Sequence, residues 1–184
     1  RVLTPNGGEN WVSGQTQLIM WTQSGILNVN IEYSIDNGII WDTIASSVTA
    51  STGSYSWTVS NTPTTSALVR VSDASNPALS DISNSTFTIS AQPMVTLTSP
   101  NGGESWNGLS SQNITWSATG VMNVKIEFSA DVGSTWNLVV ASAPASTGSF
   151  AWTVTNTATT QGLMRISDAS NLSVRDSSDA AFSI

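Results

Sequence analysis

The chain has 184 residues and few charges: Lys and Arg number 5, Asp and Glu number 12, and the net charge is −7. Because no basic surface can form to neutralise phosphates, the composition argues against binding of nucleic acid or of an anionic membrane. The absence of Cys and His excludes disulfides, the usual zinc sites, thiol nucleophiles and Ser-His-Asp triads.

The sequence predicts an all-β fold. Apolar and β-branched runs alternate with clusters of Gly, Asn, Ser, Thr and Asp, and no apolar pattern with a helical period is long enough for a helix. Seven strands in about 90 residues are typical of an immunoglobulin-like or fibronectin-III-like β-sandwich. In chain order, the predicted strands of the first half are Val2 to Thr4, Gln17 to Thr22, Asn28 to Ser34, Ile40 to Ala45, Ser54 to Val59, Ala67 to Asp73 and Ser85 to Ile89.

The second half of the chain repeats the first. A shift of 95 residues aligns Pro5 with Pro100 and continues without a gap to Ile89 and Ile184, with roughly half of the paired residues identical. A unit of about 90 residues can bury its own core, so we expect two tandem seven-stranded sandwiches that fold independently. The expected bounds are 1–90 and 95–184, joined by a short linker at 91–94.

The chain lacks an initiator Met and begins directly on a repeat, and its first residues lack the charged and apolar regions of a signal peptide. We therefore expect a segment of a longer protein. Its apolar runs are far shorter than the roughly 20 residues that cross a bilayer as a helix, so no membrane insertion is expected.

The two copies together indicate which face of each strand is buried. In the third strand Val29 and Ile31 are matched by apolar Val124 and Ile126, whereas the alternate residues are polar in both copies. By the same test Ile19, Trp21, Tyr55, Trp57, Val59, Val69 and Val71 point inward. Leu18 and Met20 are matched by Asn113 and Thr115, so we expect them to face water.

A hairpin motif follows the third strand. The second copy reads Ser-x-Asp-x-Gly-x-Thr-Trp, and the first differs only in having Ile40 in place of Thr. The motif resembles the Asp-box of sialidase-like propellers, which implies a structural turn and no active site: the Asp accepts hydrogen bonds from its own turn, the Gly adopts a positive φ and the Trp packs beneath. The structural residues are Asp36, Gly38, Trp41, Asp131, Gly133 and Trp136.

Two further sets of residues have alternative interpretations. Trp11 and Trp106 follow the Pro-Asn-Gly-Gly-Glu turn and either pack on the core or form a platform for a sugar ring. The carboxylates of Asp73, Asp81, Asp168, Asp176 and Asp179 lie before the last strand and either cap Asx turns or hold Ca²⁺, the one cofactor considered. An acid pair for glycoside hydrolysis is not expected on a small duplicated sandwich without a cleft.

The few basic residues also repeat. Arg70 and Arg165 are equivalent in the sixth strand, and Glu32 and Glu127 are equivalent in the third. These strands are neighbours in a fibronectin-like topology, and all four side chains lie in the outward phase. The sequence therefore predicts the cross-strand pairs Arg70–Glu32 and Arg165–Glu127 on a solvated face, where each pair contributes about 0.2–1 kcal/mol.

The complete pattern carries a family resemblance. Both halves contain, in order, Pro-Asn-Gly-Gly-Glu-x-Trp, Ser-x-Asp-x-Gly-x-x-Trp, Gly-Ser-(Tyr/Phe)-x-Trp-x-Val and Arg-(Val/Ile)-Ser-Asp-Ala-Ser. This resembles the Ser/Thr-rich Ig-like repeat family related to yeast cell-wall-synthesis proteins. The resemblance implies an extracellular or cell-surface location, a large multi-domain parent and a role as stalk, spacer or adhesive scaffold, with no catalytic residues.

The expected partners are neighbouring domains of the same chain, polysaccharide or other surface proteins. The alternative function is a carbohydrate-binding accessory module of a secreted hydrolase, which would use Trp11 and Trp106.

Overall fold

The structure, a computed structural model, describes all 184 residues. Their contacts divide the chain into two units, Arg1–Gln92 and Pro93–Ile184. Each unit is built of β-strands, apart from a single three-residue 3-10 turn at Ala50–Thr52 and at Ala145–Thr147. No helix of the structure has the length and apolar character that a membrane span requires.

The first unit contains nine strands, two more than the sequence predicts. They are β1 (Val2–Thr4), β2 (Asn10–Val12), β3 (Thr16–Trp21), β4 (Asn28–Ser34), β5 (Asp42–Thr49), β6 (Ser54–Thr58), β7 (Thr64–Asp73), β8 (Ser80–Ile82) and β9 (Phe87–Ser90). The additional strands, β2 and β8, have three residues each.

The second unit contains seven regular strands. They are β10 (Met94–Ser99), β11 (Ser111–Thr119), β12 (Asn123–Ser129), β13 (Asn137–Pro144), β14 (Ser149–Thr153), β15 (Leu163–Asp168) and β16 (Arg175–Ser177). Isolated bridges join Ser105 to Ser183 and Gly162 to Phe182, at the positions where the first unit has β2 and β9. Because β9 ends at Ser90 and β10 begins at Met94, Met94 is a strand residue and not the linker residue that the sequence suggests.

Each unit is a sandwich of two sheets. In the first unit one sheet has the order β1-β3-β6, and the other has the order β2-β9-β7-β4-β5 with β8 also paired to β7. The second unit repeats this arrangement with β10-β11-β14 and β13-β12-β15-β16. The chain changes sheets between β1 and β2, because β1 pairs antiparallel with β3 whereas β2 runs parallel to β9.

The cores lie between the two sheets of each unit. The inward phase inferred from the two copies is correct for Ile19, Trp21, Val29, Ile31 and their equivalents, which are all buried. Tyr33 and Tyr55 are partly buried and pack against the same cluster. Leu18 and Met20 are exposed, as the polar residues at their positions in the second copy predict.

Candidate functional site

The β4–β5 hairpin is closed by its own aspartate. Asp36 Oδ1 accepts hydrogen bonds from the backbone N–H groups of Ile39 and Ile40, at 3.0 and 2.9 Å, and from the Ser34 hydroxyl at 2.6 Å. Gly38 has a φ of 88°, and Trp41 Nε1 donates to its carbonyl oxygen at 3.0 Å. The carboxylate is thus held within its own turn.

In the equivalent hairpin of the second unit a threonine hydroxyl takes the place of the bond that the Ile39 N–H makes to Asp36. Thr135 donates both its N–H, at 2.8 Å to Oδ1, and its hydroxyl, at 2.6 Å to Oδ2, to the Asp131 carboxylate. These hydrogen bonds from Thr135, together with the one from the Ser129 hydroxyl, lower the pKa of Asp131 from 3.8 to about 2. In the first unit Ile40 donates only its N–H, and the pKa of Asp36 is lowered by the backbone bond from Ile40 and the hydroxyl of Ser34.

We expect the threonine hydroxyl to lower the pKa of the aspartate that accepts its hydrogen bond. Thr135→Ile should raise the pKa of Asp131, and Ile40→Thr should lower the pKa of Asp36, as measured by carboxyl ¹³C shifts in a pH titration. Because the pKa of Asp131 in the folded state lies below its ordinary value of 3.8, the unfolded chain binds the proton first as the pH falls. Stabilisation by Asp131 is therefore complete above about pH 4 and is lost as the pH falls towards about 2. Identical titration curves in the Thr135→Ile variant and the wild type would contradict this explanation.

The predicted cross-strand ion pairs are present in both units. Glu32 and Arg70 are directly opposite in β4 and β7, with Arg70 Nε 2.8 Å from Glu32 Oε2. Glu127 and Arg165 are directly opposite in β12 and β15, with Arg165 Nη2 2.8 Å from Glu127 Oε2. This confirms both the pairing and the strand order on which the prediction rests.

The side chains of these pairs are less exposed to solvent than the sequence suggests. The Arg70 guanidinium lies 4.3 Å from the ring centre of Trp41, and that of Arg165 lies 4.1 Å from the ring centre of Trp136. In the second unit Lys125 Nζ is also 2.7 Å from Glu127. Each hairpin Trp therefore covers an Arg, and the cation–π contact anchors the hairpin to the sheet.

The Pro-Asn-Gly-Gly-Glu turn is closed by its glutamate. Glu9 accepts hydrogen bonds from the N–H groups of Asn6 and Gly7, at 2.7 and 2.8 Å, and Asn6 Oδ1 accepts the N–H of Asn84 at 2.8 Å. Glu104 makes the same two bonds within the second unit. This acidic side chain, for which the sequence analysis gives no role, locks the segment through which the chain changes sheets.

The five candidate calcium ligands do not form a site. Asp73 and Asp168 accept hydrogen bonds from the N–H and hydroxyl groups of Ser75 and Ser170 at 2.7–2.8 Å. Asp81, Asp176 and Asp179 accept hydrogen bonds from Val2 N, Leu97 N and Asn101 Nδ2 at 2.7–2.8 Å. Nowhere do three carboxylates come together as a metal-binding group. The aspartates cap turns or connect strands through these hydrogen bonds.

The interpretation of Trp11 as a ligand platform is also wrong. Its side chain is only 6% exposed, and its ring packs against Phe87 and Trp57 with centroid distances of 5.1 and 6.0 Å. Trp106 is half-buried and packs in the same way against Phe182 and Trp152, at 5.3 and 6.2 Å. Both tryptophans thus close the core at the edge of the sandwich, which is the alternative packing role.

Two buried serines were not predicted from the sequence. The Ser83 hydroxyl donates to the Pro5 carbonyl oxygen at 2.7 Å and accepts the Val69 N–H at 3.0 Å. Ser178 makes the equivalent bonds with Pro100 and Met164. The chain is rich in serine, so the only sequence signal that distinguishes these two is that serine occupies the same position in both copies.

A partly open pocket of about 220 Å³ lies in the first unit. Its walls include the apolar side chains of Trp21, Ile26, Val71 and Leu79, and Arg1 and Asp81 lie at its polar side. Asp73 also lines the pocket, so its lining combines an apolar wall with two carboxylate residues and Arg1.

Solved structures share this architecture. The two Ig domains of DIP-gamma are 8% identical to this chain with a TM-score of 0.50, and the match covers 100% of this chain and 96% of that one. The fibronectin(III)-like modules of Clostridium thermocellum CbhA are 16% identical with a TM-score of 0.37, covering 100% and 93%. No family model and no curated protein matches the sequence. The likeness to DIP-gamma confirms the fold class of tandem Ig-like or fibronectin-III-like sandwiches.

Proposed function

We propose that this chain is a non-catalytic, extracellular tandem of β-sandwiches that serves as a stalk, spacer or surface-assembly element of a larger secreted protein. We also propose that its repeats belong to the Ser/Thr-rich Ig-like surface repeats that they resemble. The proposal rests on the hydrogen bonds that the acidic side chains accept. Nearly all of them accept hydrogen bonds within their own unit, and the same bonds recur in the second unit.

The duplicated carboxylates illustrate this use. Glu9 and Asp36 hold backbone N–H groups of their own turns, Asp81 accepts the N–H of Val2 from the opposite sheet, and Glu32 pairs with Arg70. A catalyst needs a polar group that is free to act on a substrate. Here these groups hold together the sandwich that carries them, which supports a load-carrying or spacing role.

The composition supports the extracellular part of the proposal. The chain has a single Lys and four Arg, no Cys and a net charge of −7. Cleavage sites for proteases that recognise basic residues are therefore few, and no thiol can be oxidised. The carbohydrate-binding alternative gains no support, since the Trp11 ring is buried in the core and the Trp106 ring is packed in the same way.

Single-molecule stretching tests the proposal. A chain pulled between marker domains should show two separate unfolding peaks, each lengthening the chain by roughly 30 nm for about 90 residues. Gly7→Ala, which alters only the first unit, should weaken one of the two peaks and leave the other unchanged. One combined event of about 60 nm, or unfolding without a resolvable force peak, would rule out a spacer built of independent units. Retention of the chain on insoluble polysaccharide would favour the carbohydrate-binding alternative.

A further inference from the structure

The three basic residues of the second unit lie together on the outer face of one sheet. Lys125 in β12 is directly opposite Ser167 in β15, and Ser167 is directly opposite Arg175 in β16. Arg165 lies two residues before Ser167 on β15 and pairs with Glu127. We call Lys125, Arg165 and Arg175, together with Glu127, the cation cluster.

The cation cluster has one carboxylate for three cations. Glu127 accepts hydrogen bonds from Lys125 Nζ at 2.7 Å and from Arg165 Nη2 at 2.8 Å. Arg175 is exposed and takes part in none of the three ion pairs of the structure. The other carboxylates of the second unit accept hydrogen bonds from its turns and strands: Glu104, Asp131, Asp168, Asp176 and Asp179. Three cations and one carboxylate therefore give the cluster a net charge of +2 within a chain of net charge −7.

The fold does not require the additional charges. In the first unit Asn30 stands at the position of Lys125. Ser80 stands at the position of Arg175, and both neutral residues flank Ser72 in the same strand pairing. Only the Arg–Glu pair is common to the two units. Because the same strands form with neutral residues at these positions, folding alone does not account for the two additional cations.

We propose that the cation cluster binds one oxyanion, a carboxylate or sulfate group, between the side chains of Lys125 and Arg175. The backbones of these two residues are two strand spacings apart, about 10 Å, so their long side chains can reach a common anion. The planar guanidinium of Arg175 can donate to two oxygens of such a group, and Lys125 adds a point charge.

The charge of the whole chain restricts the ligand. A net charge of −7 repels a polyanion as it approaches, so the cluster suits a single oxyanion and not a strand of nucleic acid or an anionic membrane. Two sources supply such a group: a free inorganic anion, and an acidic sugar. Because ion pairs on an exposed surface are weak, we expect a dissociation constant of about 10 mM. This inference is independent of the spacer role.

Titrations followed by ¹⁵N NMR test the proposal on the full chain. Sodium sulfate and sodium galacturonate are added separately up to about 100 mM, with the ionic strength held constant by sodium chloride. The amide shifts of β12, β15 and β16 should change along a saturating curve, while those of the first unit should not. Equal affinities for the two probes would identify a free anion as the ligand, and a preference of about tenfold for galacturonate would identify an acidic sugar.

An exchange of residues between the units provides the matched variants. Lys125→Asn with Arg175→Ser should abolish binding in the second unit. Asn30→Lys with Ser80→Arg should create binding in the first unit, beside Glu32 and Arg70. The variant that combines all four substitutions keeps the net charge of −7, so net charge alone cannot explain a site that moves from one unit to the other.

Glu127→Gln provides a further measurement. It removes the carboxylate that competes with the ligand for Lys125 and Arg165, so it should tighten the binding of both probes. The absence of saturating shifts with either probe, shifts that map to another surface, or binding that stays in the second unit of the fourfold variant would each overturn the proposal. Weaker binding by the Glu127→Gln variant, with its spectrum still that of a folded chain, would do so too.

Discussion

Gly7→Ala is expected to destabilise the first unit by about 4 kcal/mol, which is a large part of the stability of a small domain. Gly7 has a φ of 128°, in a region that residues with a side chain rarely adopt, and this strain alone costs about 1–3 kcal/mol. A Cβ at this position would also lie 2.6 Å from the Ser85 Cβ and 3.2 Å from its Cα. Relieving this contact costs about another 1–3 kcal/mol, because backbone has to move.

The adjacent glycine is the control for this prediction. Gly8 also has a positive φ, of 83°, but a Cβ there would meet no atom within 4 Å. Gly8→Ala should therefore cost only about 1–2 kcal/mol of left-handed strain. Urea unfolding of the full chain, followed by resolved NMR peaks from each unit, measures both values, and equal losses for the two variants would contradict the steric argument.

The second unit offers a repeat of the same experiment. Gly102 has a φ of 133°, and its Cβ would lie 2.6 Å from the Ala180 Cβ. Gly103 would again meet nothing within 4 Å. The variants Gly102→Ala and Gly103→Ala should therefore reproduce the difference in the second unit while leaving the unfolding of the first unit unchanged.

Glu127→Ala is expected to destabilise the second unit by about 3 kcal/mol, at the lower end of the range for breaking a buried ion pair. The Glu127 side chain is 11% exposed and accepts hydrogen bonds from Arg165 Nε, Arg165 Nη2 and Lys125 Nζ. Its removal leaves two cations close together without an anion. Chemical unfolding of the second unit in the full chain measures the loss.

The first unit again provides a matched comparison. Glu32 is 23% exposed and forms one hydrogen bond, with Arg70 Nε. Glu32→Ala should therefore cost only about 1 kcal/mol, and Glu127→Gln, which keeps an acceptor but no charge, should fall between the two. A larger loss from Glu32→Ala than from Glu127→Ala would show that burial and the second cation do not determine the effect.

The pH dependence of the Glu127 contribution follows from its pKa. Burial alone would raise the pKa of Glu127, but the hydrogen bonds and charges of Lys125 and Arg165 outweigh burial and hold it below its ordinary value of 4.5. The unfolded chain therefore binds a proton first as the pH falls. The contribution is complete above about pH 5 and decreases as the pH falls below 4.5, and the Glu127→Gln variant should lack this part of the acid sensitivity.

The sequence by itself determined the repeat, the all-β class, the inward phase of the longer strands and the Arg–Glu pairs. Each of these depends on a local period or on comparison of the two copies. The alternation along Val29 to Tyr33 follows from the pleat of one strand. The pairing of Arg70 with Glu32 required only that their strands be neighbours and that both side chains leave the core.

The tertiary structure alone decided the packing of Trp11, the contact of Trp41 with Arg70 and the role of Asp81. Trp11 is buried because Trp57 and Phe87, from distant parts of the chain, enclose its ring. Trp41 covers Arg70 because the hairpin folds back over the sheet. Asp81 is a strand connector because the N–H of Val2 reaches it from the opposite sheet. A three-residue strand, a buried ring or a carboxylate acquires its role from partners far away in sequence, and local periodicity carries no information about those partners.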